Sequence, residues 1–154
     1  GAGDKKLGTI VGGNSAAGNT IRTKFQKEIP ALEKVHQDVK FSVAKTKGVK
    51  LLDGRVVPVR SEHAALNTLL QGSGAVLSKL WMCIANRNLK KIYGTTVKQV
   101  AYIHDELQFT CPPEIADAVG KVITDAATDA GVRLGLKIRV DAGYSVGKNW
   151  SETH

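Results

Sequence analysis

The sequence predicts an α+β fold in which helices pack on one face of an antiparallel sheet. Long stretches with apolar residues three and four positions apart predict helices, and two short apolar runs, each around a tight-turn signal, predict hairpins. With 154 residues, 42% hydrophobic and 23% charged, the chain has a globular composition and is long enough for one packed domain. These values exclude a disordered, collagenous or coiled-coil protein.

Three helices are predicted in the first third of the chain. A short one over residues 4–11 ends at the glycine pair 12–13. A longer one runs from residue 14 or 15 to residue 29, because its apolar residues are spaced by four. Pro30 suits the first position of a third helix, since proline lacks the N–H that this position leaves unused.

A β-hairpin and the longest helix follow. The apolar runs 49–52 and 56–59 flank the turn signal Asp53-Gly54, and Pro58 indicates an edge strand. The long helix begins at Ser61, a good N-cap residue, and ends near residue 93. We expect its buried stripe to consist of Leu66, Leu70, Ser73, Leu77, Leu80 and Ile84.

The last third predicts a second hairpin, a helix and a strand. Residues 96–111 indicate two strands around a tight bend, and the prolines at 112 and 113 end the second strand. An alanine-rich helix extends from residue 113 or 114 to residue 130, and residues 136–144 form a last strand. The spacing of Cys83 and Cys111 favours two buried reduced thiols over a disulfide or zinc site.

The net charge of +8 is concentrated near the N-terminus. Residues 1–60 hold twelve basic and five acidic side chains, whereas residues 61–154 hold ten and nine. Such a segment is typical of a surface that faces phosphates, and a solvated basic surface is the alternative. Without a long apolar run or a signal-peptide pattern, we expect a soluble intracellular protein with no membrane partner.

His104, Asp105 and Glu106 lie together at the bend of the second predicted hairpin. Alternation within a strand would force one of these ionisable side chains toward the core, whereas at a hairpin tip they can converge on a cation or a phosphate. Carboxylates are hard oxygen ligands suited to Mg²⁺. The tripeptide alone is also compatible with a solvated acidic turn.

One face of the predicted long helix carries His63, Asn67 and Gln71, spaced by four residues. The two amides can reach the acceptors that the minor groove of DNA presents at every base pair. Residues 72–74, Gly-Ser-Gly, leave the helix surface nearly bare, which suits a closely approaching strand. An ordinary polar face whose glycines aid helix packing is the alternative.

Together these motifs resemble the C-terminal part of family A DNA polymerases, especially of their phage replicative branch. The segments that carry the resemblance are LDGRVVPVRSEHAALNTLLQGSGA at 52–75, YIHDEL at 102–107 and GKNWSETH at 147–154. The opening GAGDKKLGTIVG is similar to the stretch after the nucleotide-binding helix of the fingers. The resemblance implies that residues 1–47 are the C-terminal helices of the fingers and that residues 48–154 are the palm, with its antiparallel sheet.

The resemblance also implies roles for individual residues. Asp105 corresponds to a catalytic metal ligand, and Glu106 to a carboxylate beside the metals. Asn67 and Gln71 correspond to side chains that contact the minor groove near the primer end. His104 corresponds to a residue close to the primer end, and Arg60 and His63 lie in the same motif as Asn67 and Gln71. Bacterial relatives usually have arginine where His63 stands. His154 corresponds to the family's C-terminal histidine, whose carboxylate end lies near the active site.

The implied activity is that of a DNA-directed DNA polymerase, a nucleotidyltransferase that uses two Mg²⁺ ions. Its partners would be template-primer DNA, deoxynucleoside triphosphates and the N-terminal part of the polymerase, which would supply a second aspartate and the triphosphate-binding helix. We therefore expect the 154 residues alone to be nearly inactive and to expose surfaces that can self-associate. The expected location is the cytoplasm, which is that of a bacterial host if a phage or prophage encodes the chain. The alternative is a non-catalytic, DNA-binding remnant of a prophage polymerase.

Overall fold

The computed structural model describes residues 2–153 and confirms the α+β class. The five helices within this range are α1 (Asp4–Ile10), α2 (Ser15–Glu28), α3 (Pro30–Thr46), α4 (Glu62–Tyr93) and α5 (Ala116–Arg133). The strands are β1 (Gly48–Lys50), β2 (Val56–Pro58), β3 (Lys98–Ile103) and β4 (Glu106–Thr110), and 3₁₀ turns cover Pro113–Ile115 and Trp150–Glu152. The chain divides into two compact units, residues 1–71 and 72–154, rather than one.

In the first unit, α1 and α2 pack as an antiparallel pair at very short range. A Cβ atom at Gly18 would lie 1.9 Å from the carbonyl oxygen of Asp4, so only glycine permits this approach. The carboxylate of Asp4 accepts hydrogen bonds from Arg22 at 2.9 Å and from Asn19 at 3.2 Å. Asn14 caps α2 by accepting from the backbone N–H of Ala16 at 3.0 Å.

The first hairpin packs beside α3 in the same unit. Strands β1 and β2 pair antiparallel with Val49 opposite Val57, and the side chains of Val49, Leu51 and Val39 are buried. The loop between the strands closes with a hydrogen bond from Leu51 N–H to the Arg55 carbonyl at 2.9 Å. The hairpin predicted around Asp53-Gly54 is therefore confirmed.

The second unit is built on the C-terminal part of α4, the β3–β4 hairpin and α5. Its core consists of Ile84, Ala85, Ala126 and Ala130, with partly buried apolar side chains packed around them. The indole N–H of Trp81 donates to the carbonyl of Ile123 at 2.7 Å and so ties α4 to α5. Small alanine side chains on α5 allow this close packing.

The predicted strand over residues 136–144 is wrong. Within residues 2–153, β3 and β4 pair only with each other, and residues 136–144 form no ladder. The segment is instead held against α5 by side chains, because Thr128 donates to the Val140 carbonyl at 2.8 Å and the Tyr144 ring covers Gly120. The apolar pattern of this segment is typical of a strand, but Val140 and Tyr144 pack against glycines of α5.

Two burial predictions are also wrong. Leu70, expected in the buried stripe of α4, is 61% exposed, whereas Leu69 is half-buried. Helix α4 contributes to two units, so a single apolar stripe does not extend along its whole length. Cys83 faces solvent, and Cys111 is only partly buried, which still raises the pKa of its thiol.

Candidate metal site and nucleic-acid interface

The acidic motif predicted at a bend lies at the tight turn of the second hairpin. Ile103 pairs directly with Glu106, so His104 and Asp105 form a two-residue loop. His104 has φ 55, a left-handed conformation that β-hairpin loops usually assign to glycine or asparagine. A non-glycine residue held in this region costs about 1 kcal/mol or more, which points to a constraint beyond hairpin stability.

Asp105 is exposed at the tip of this turn. Among residues 2–153, no side chain forms an ion pair or a hydrogen bond with its carboxylate. An exposed carboxylate keeps its charge in water without a basic neighbour. Asp105 is therefore available to a cation from outside the described chain.

Glu106, at the start of β4, is held by other side chains. The amide of Gln108 and the indole N–H of Trp150 both donate to its Oε1 atom, the latter at 3.3 Å. Trp150 comes from the C-terminal segment, 44 residues away in sequence. Sequence reasoning did not identify Trp150 as a site residue, although a lone tryptophan in a polar tail was an available signal.

The turn offers an incomplete set of metal ligands. No group of three or more histidine, cysteine or acidic residues that could hold a metal ion occurs within the part of the chain that the structure describes. Mg²⁺ commonly takes one or two protein carboxylates and completes its shell with water and substrate phosphates. Asp105 and Glu106 fit that mode of binding, with the remaining ligands supplied by other groups.

The second candidate surface lies on the first turns of α4. Ser61 caps the helix by accepting from the Ala64 N–H at 3.3 Å, so the first turn is well formed. His63, Asn67 and Gln71 are exposed and follow one another at intervals of four on this helix. Arg60 is exposed just before the cap. The structure thus places these three helical residues on one face, as predicted.

The candidate residues fall in two units. Residues 104–106 belong to the second unit, and Arg60, His63, Asn67 and Gln71 to the first. His154, also predicted at the site, lies outside the described residues.

No helix within residues 2–153 has both the length and the apolar character needed to cross a membrane.

A family model described as DNA polymerase family A matches residues 1–152. The chain is 34% identical to the DNA-directed DNA polymerase of Enterobacteria phage T3, across all of this chain and 25% of the phage protein. It is 33% identical to the corresponding protein of Escherichia phage T7, with the same coverage. DNA polymerase I of Aquifex aeolicus is 29% identical over 96% of this chain and 26% of that protein.

A solved structure shares the fold. The POL domain of Pol1 from M. smegmatis, in complex with DNA primer-template and dNTP, superposes with a TM-score of 0.76 over 84% of this chain at 18% identity. The match covers 25% of that structure's chain. The present chain therefore spans about a quarter of the length of the proteins that it matches.

Proposed function

The chain belongs to DNA polymerase family A, and from this premise we propose that it supplies the acidic turn and the primer-binding helix face of a DNA-directed DNA polymerase. In this proposal residues 1–47 are fingers helices and residues 48–154 are palm. The observation that carries the proposal is the β3–β4 turn, which presents Asp105, without an ion pair among residues 2–153, next to a Glu106 oriented by side-chain donors. The turn has the charge and exposure that a metal-dependent transfer of a nucleotide needs.

The proposed reaction is attack of a primer 3′-hydroxyl on the α-phosphate of a deoxynucleoside triphosphate. The new bond joins the 3′-oxygen to the α-phosphorus, the hydroxyl proton passes to water, and the bond to the bridging oxygen breaks to release pyrophosphate. Asp105 would hold the metal, with Glu106 beside it. Two bound Mg²⁺ ions would supply charge stabilisation for the attacking and leaving oxygens.

The face on α4 would hold the primer end. The exposed amides of Asn67 and Gln71 can each donate and accept, so they can bind minor-groove acceptors without selecting a base sequence. His63 and Arg60 add donors at the same end of the helix, and His104 would lie close to the primer end. The C-terminal His154 is proposed near the same site.

We propose that activity depends on further polymerase segments, because within residues 2–153 no group of three or more histidine, cysteine or acidic side chains could hold a metal ion. Those segments would contribute another carboxylate and the binding site for the triphosphate. Large exposed apolar residues, including Phe41 at 70% and Ile138 at 76%, support contact with such segments or with a second copy. The proposed place of action is the cytoplasm of a bacterial host.

Primer extension tests this function. The chain would be combined with the N-terminal part of the polymerase, template-primer DNA, deoxynucleoside triphosphates and Mg²⁺. We expect Asp105→Ala to reduce the extension rate by about 100-fold or more, because losing a metal ligand removes several kcal/mol of transition-state stabilisation. Asp53→Ala, in the other hairpin loop, is the matched control and should leave the rate unchanged. An Asp105→Ala chain that extends primers at the unsubstituted rate would refute the proposal.

A second candidate function is DNA binding without catalysis, as in a prophage remnant. The concentration of basic side chains in residues 1–60 favours it, since such a surface binds phosphates whether or not the acidic turn works. This alternative predicts salt-sensitive DNA binding, no extension with any N-terminal part, and no effect of Asp105→Ala.

A further inference from the structure

Residues 147–153 form a compact turn at the C-terminal end of the described chain. The Glu152 carboxylate accepts hydrogen bonds from the Lys148 backbone N–H and the Asn149 side-chain amide, both at 2.9 Å. The Thr153 N–H donates to the Trp150 carbonyl at 3.0 Å. Local hydrogen bonds therefore fix the backbone around Trp150, although it lies outside the main helices and strands.

Burial does not explain where the Trp150 side chain lies. Its ring is 50% exposed, whereas the other tryptophan, Trp81, packs against the hydrophobic core of the second unit. The indole N–H is a donor only, so its hydrogen bond requires an acceptor. Trp81 uses a backbone carbonyl, and Trp150 uses the Glu106 carboxylate.

The Trp150 indole shares its acceptor oxygen on Glu106 with a second donor. Glu106 and Gln108 are two residues apart on β4, so their side chains project from the same face of the strand. The Gln108 amide and the Trp150 indole both donate to Oε1 of Glu106. Hydrogen bonds to an ionised carboxylate are stronger than those between neutral groups, and two donors on one atom restrict how the carboxylate can rotate.

We propose that Trp150 is a positioning residue that orients the Glu106 carboxylate for a divalent cation bound at the acidic turn. The inference rests on the proposed function, because it concerns the same turn. It also means that the C-terminal segment contributes a side chain that supports that site. Side chains that orient metal-binding groups commonly affect metal affinity by about 10- to 100-fold.

The first test detects the hydrogen bond in solution. In an amide-detected NMR spectrum of the ¹⁵N-labelled chain, each tryptophan gives one indole signal, and Trp150→Phe identifies the signal of residue 150. We expect Glu106→Gln to move the Trp150 signal upfield, because a neutral amide oxygen is a weaker acceptor than a carboxylate. The Trp81 signal should stay in place. An unmoved Trp150 signal would overturn the inference.

The second test measures the consequence for the metal, with Mg²⁺ alone as the probe. The backbone amide signal of Asp105 is followed as Mg²⁺ is added. We expect Trp150→Phe, which keeps an aromatic ring but removes the N–H, to raise the half-saturating Mg²⁺ concentration about 10-fold. Trp81→Phe is the matched control, since it removes the same donor from the core and should leave that concentration unchanged. An unchanged value in Trp150→Phe would overturn the inference.

Neither test involves DNA synthesis, so the inference and the proposed function can fail separately. Absence of extension in the combined polymerase would count against the proposed function. The indole shift and the Mg²⁺ concentration decide the role of Trp150 by themselves.

Discussion

The acidic loops of the two hairpins differ in backbone conformation and in ion pairing. In the β1–β2 loop, Gly54 takes the left-handed conformation at φ 87, and Arg55 Nε donates to the carboxylate of Asp53 at 2.7 Å. In the β3–β4 loop, His104 takes it at φ 55, and Asp105 has no ion pair among residues 2–153. The first loop pairs its aspartate with an arginine and has glycine at its positive-φ position. The second loop has histidine at that position, and its aspartate has no such partner among residues 2–153.

The first loop has the glycine and the ion pair that favour a stable hairpin, whereas the second has neither among residues 2–153. The hydrogen bond from Arg55 lowers the pKa of Asp53 below its ordinary value, as expected for a carboxylate with a basic partner. A histidine at positive φ costs the second hairpin stability, and Asp105 gains no stabilising ion pair among residues 2–153. Such departures from local preference concentrate where a site must bind or react.

Replacing the second loop with a stable one should have the largest effect. His104→Gly combined with Asp105→Asn gives a Gly-Asn loop that fits positive φ at its first position. We expect the free energy of unfolding to rise by about 1 kcal/mol, measured with urea, because glycine removes the strain. The rate of primer extension by this chain combined with the N-terminal part of the polymerase should fall about 100-fold or more. A fall in both quantities would show that the natural loop is the more stable one.

Single substitutions at the two positive-φ residues should have opposite and smaller effects. Gly54→Ala places a Cβ atom at φ 87 and should lower the free energy of unfolding by about 1 kcal/mol. His104→Gly should raise it by up to about that amount. Urea denaturation of both variants measures the two changes in the free energy of unfolding. Destabilisation by His104→Gly would mean that the histidine supports the hairpin and would remove the contrast between the loops.

The smallest effect concerns pH. Because the pKa of Asp53 is lowered in the folded chain, its contribution to stability is present above its unfolded value and is lost as the pH falls through the folded value. Below about pH 4, the unsubstituted chain should therefore lose stability relative to Asp53→Asn. Arg55→Gln should return the pKa of Asp53 toward its ordinary value, measured by NMR. An Asp53 pKa that is the same in Arg55→Gln as in the unsubstituted chain would show that Arg55 does not lower it.

Local signals predicted much of the fold. Pro30 begins α3, Ser61 caps α4, and the Asp53-Gly54 signal lies in the first hairpin loop. The second bend lies at His104 and Asp105, within the predicted tripeptide. These features depend on residues close together in the sequence, so the sequence pattern is sufficient to locate them.

Features set by distant contacts could not be predicted in this way. Residues 136–144 have a strand-like composition, but Thr128 of α5 donates to the Val140 carbonyl, and the Val140 and Tyr144 side chains lie against glycines of α5. Leu70 fits the apolar period of α4 but is exposed, and it lies next to the boundary between the two units. The Trp150 to Glu106 contact joins residues 44 positions apart, and no local period encodes it.

We expect the β3–β4 loop, and not the β1–β2 loop, to bind a divalent metal ion. The direct measurement is paramagnetic broadening of backbone amide signals as Mn²⁺ is added to the chain. We predict that the signals of residues 104–106 broaden at Mn²⁺ concentrations that leave residues 53–55 sharp, that Asp105→Asn abolishes this broadening, and that Asp53→Asn does not. Equal broadening of the two loops, or none at Asp105, would show that the β3–β4 loop is not a specific metal site.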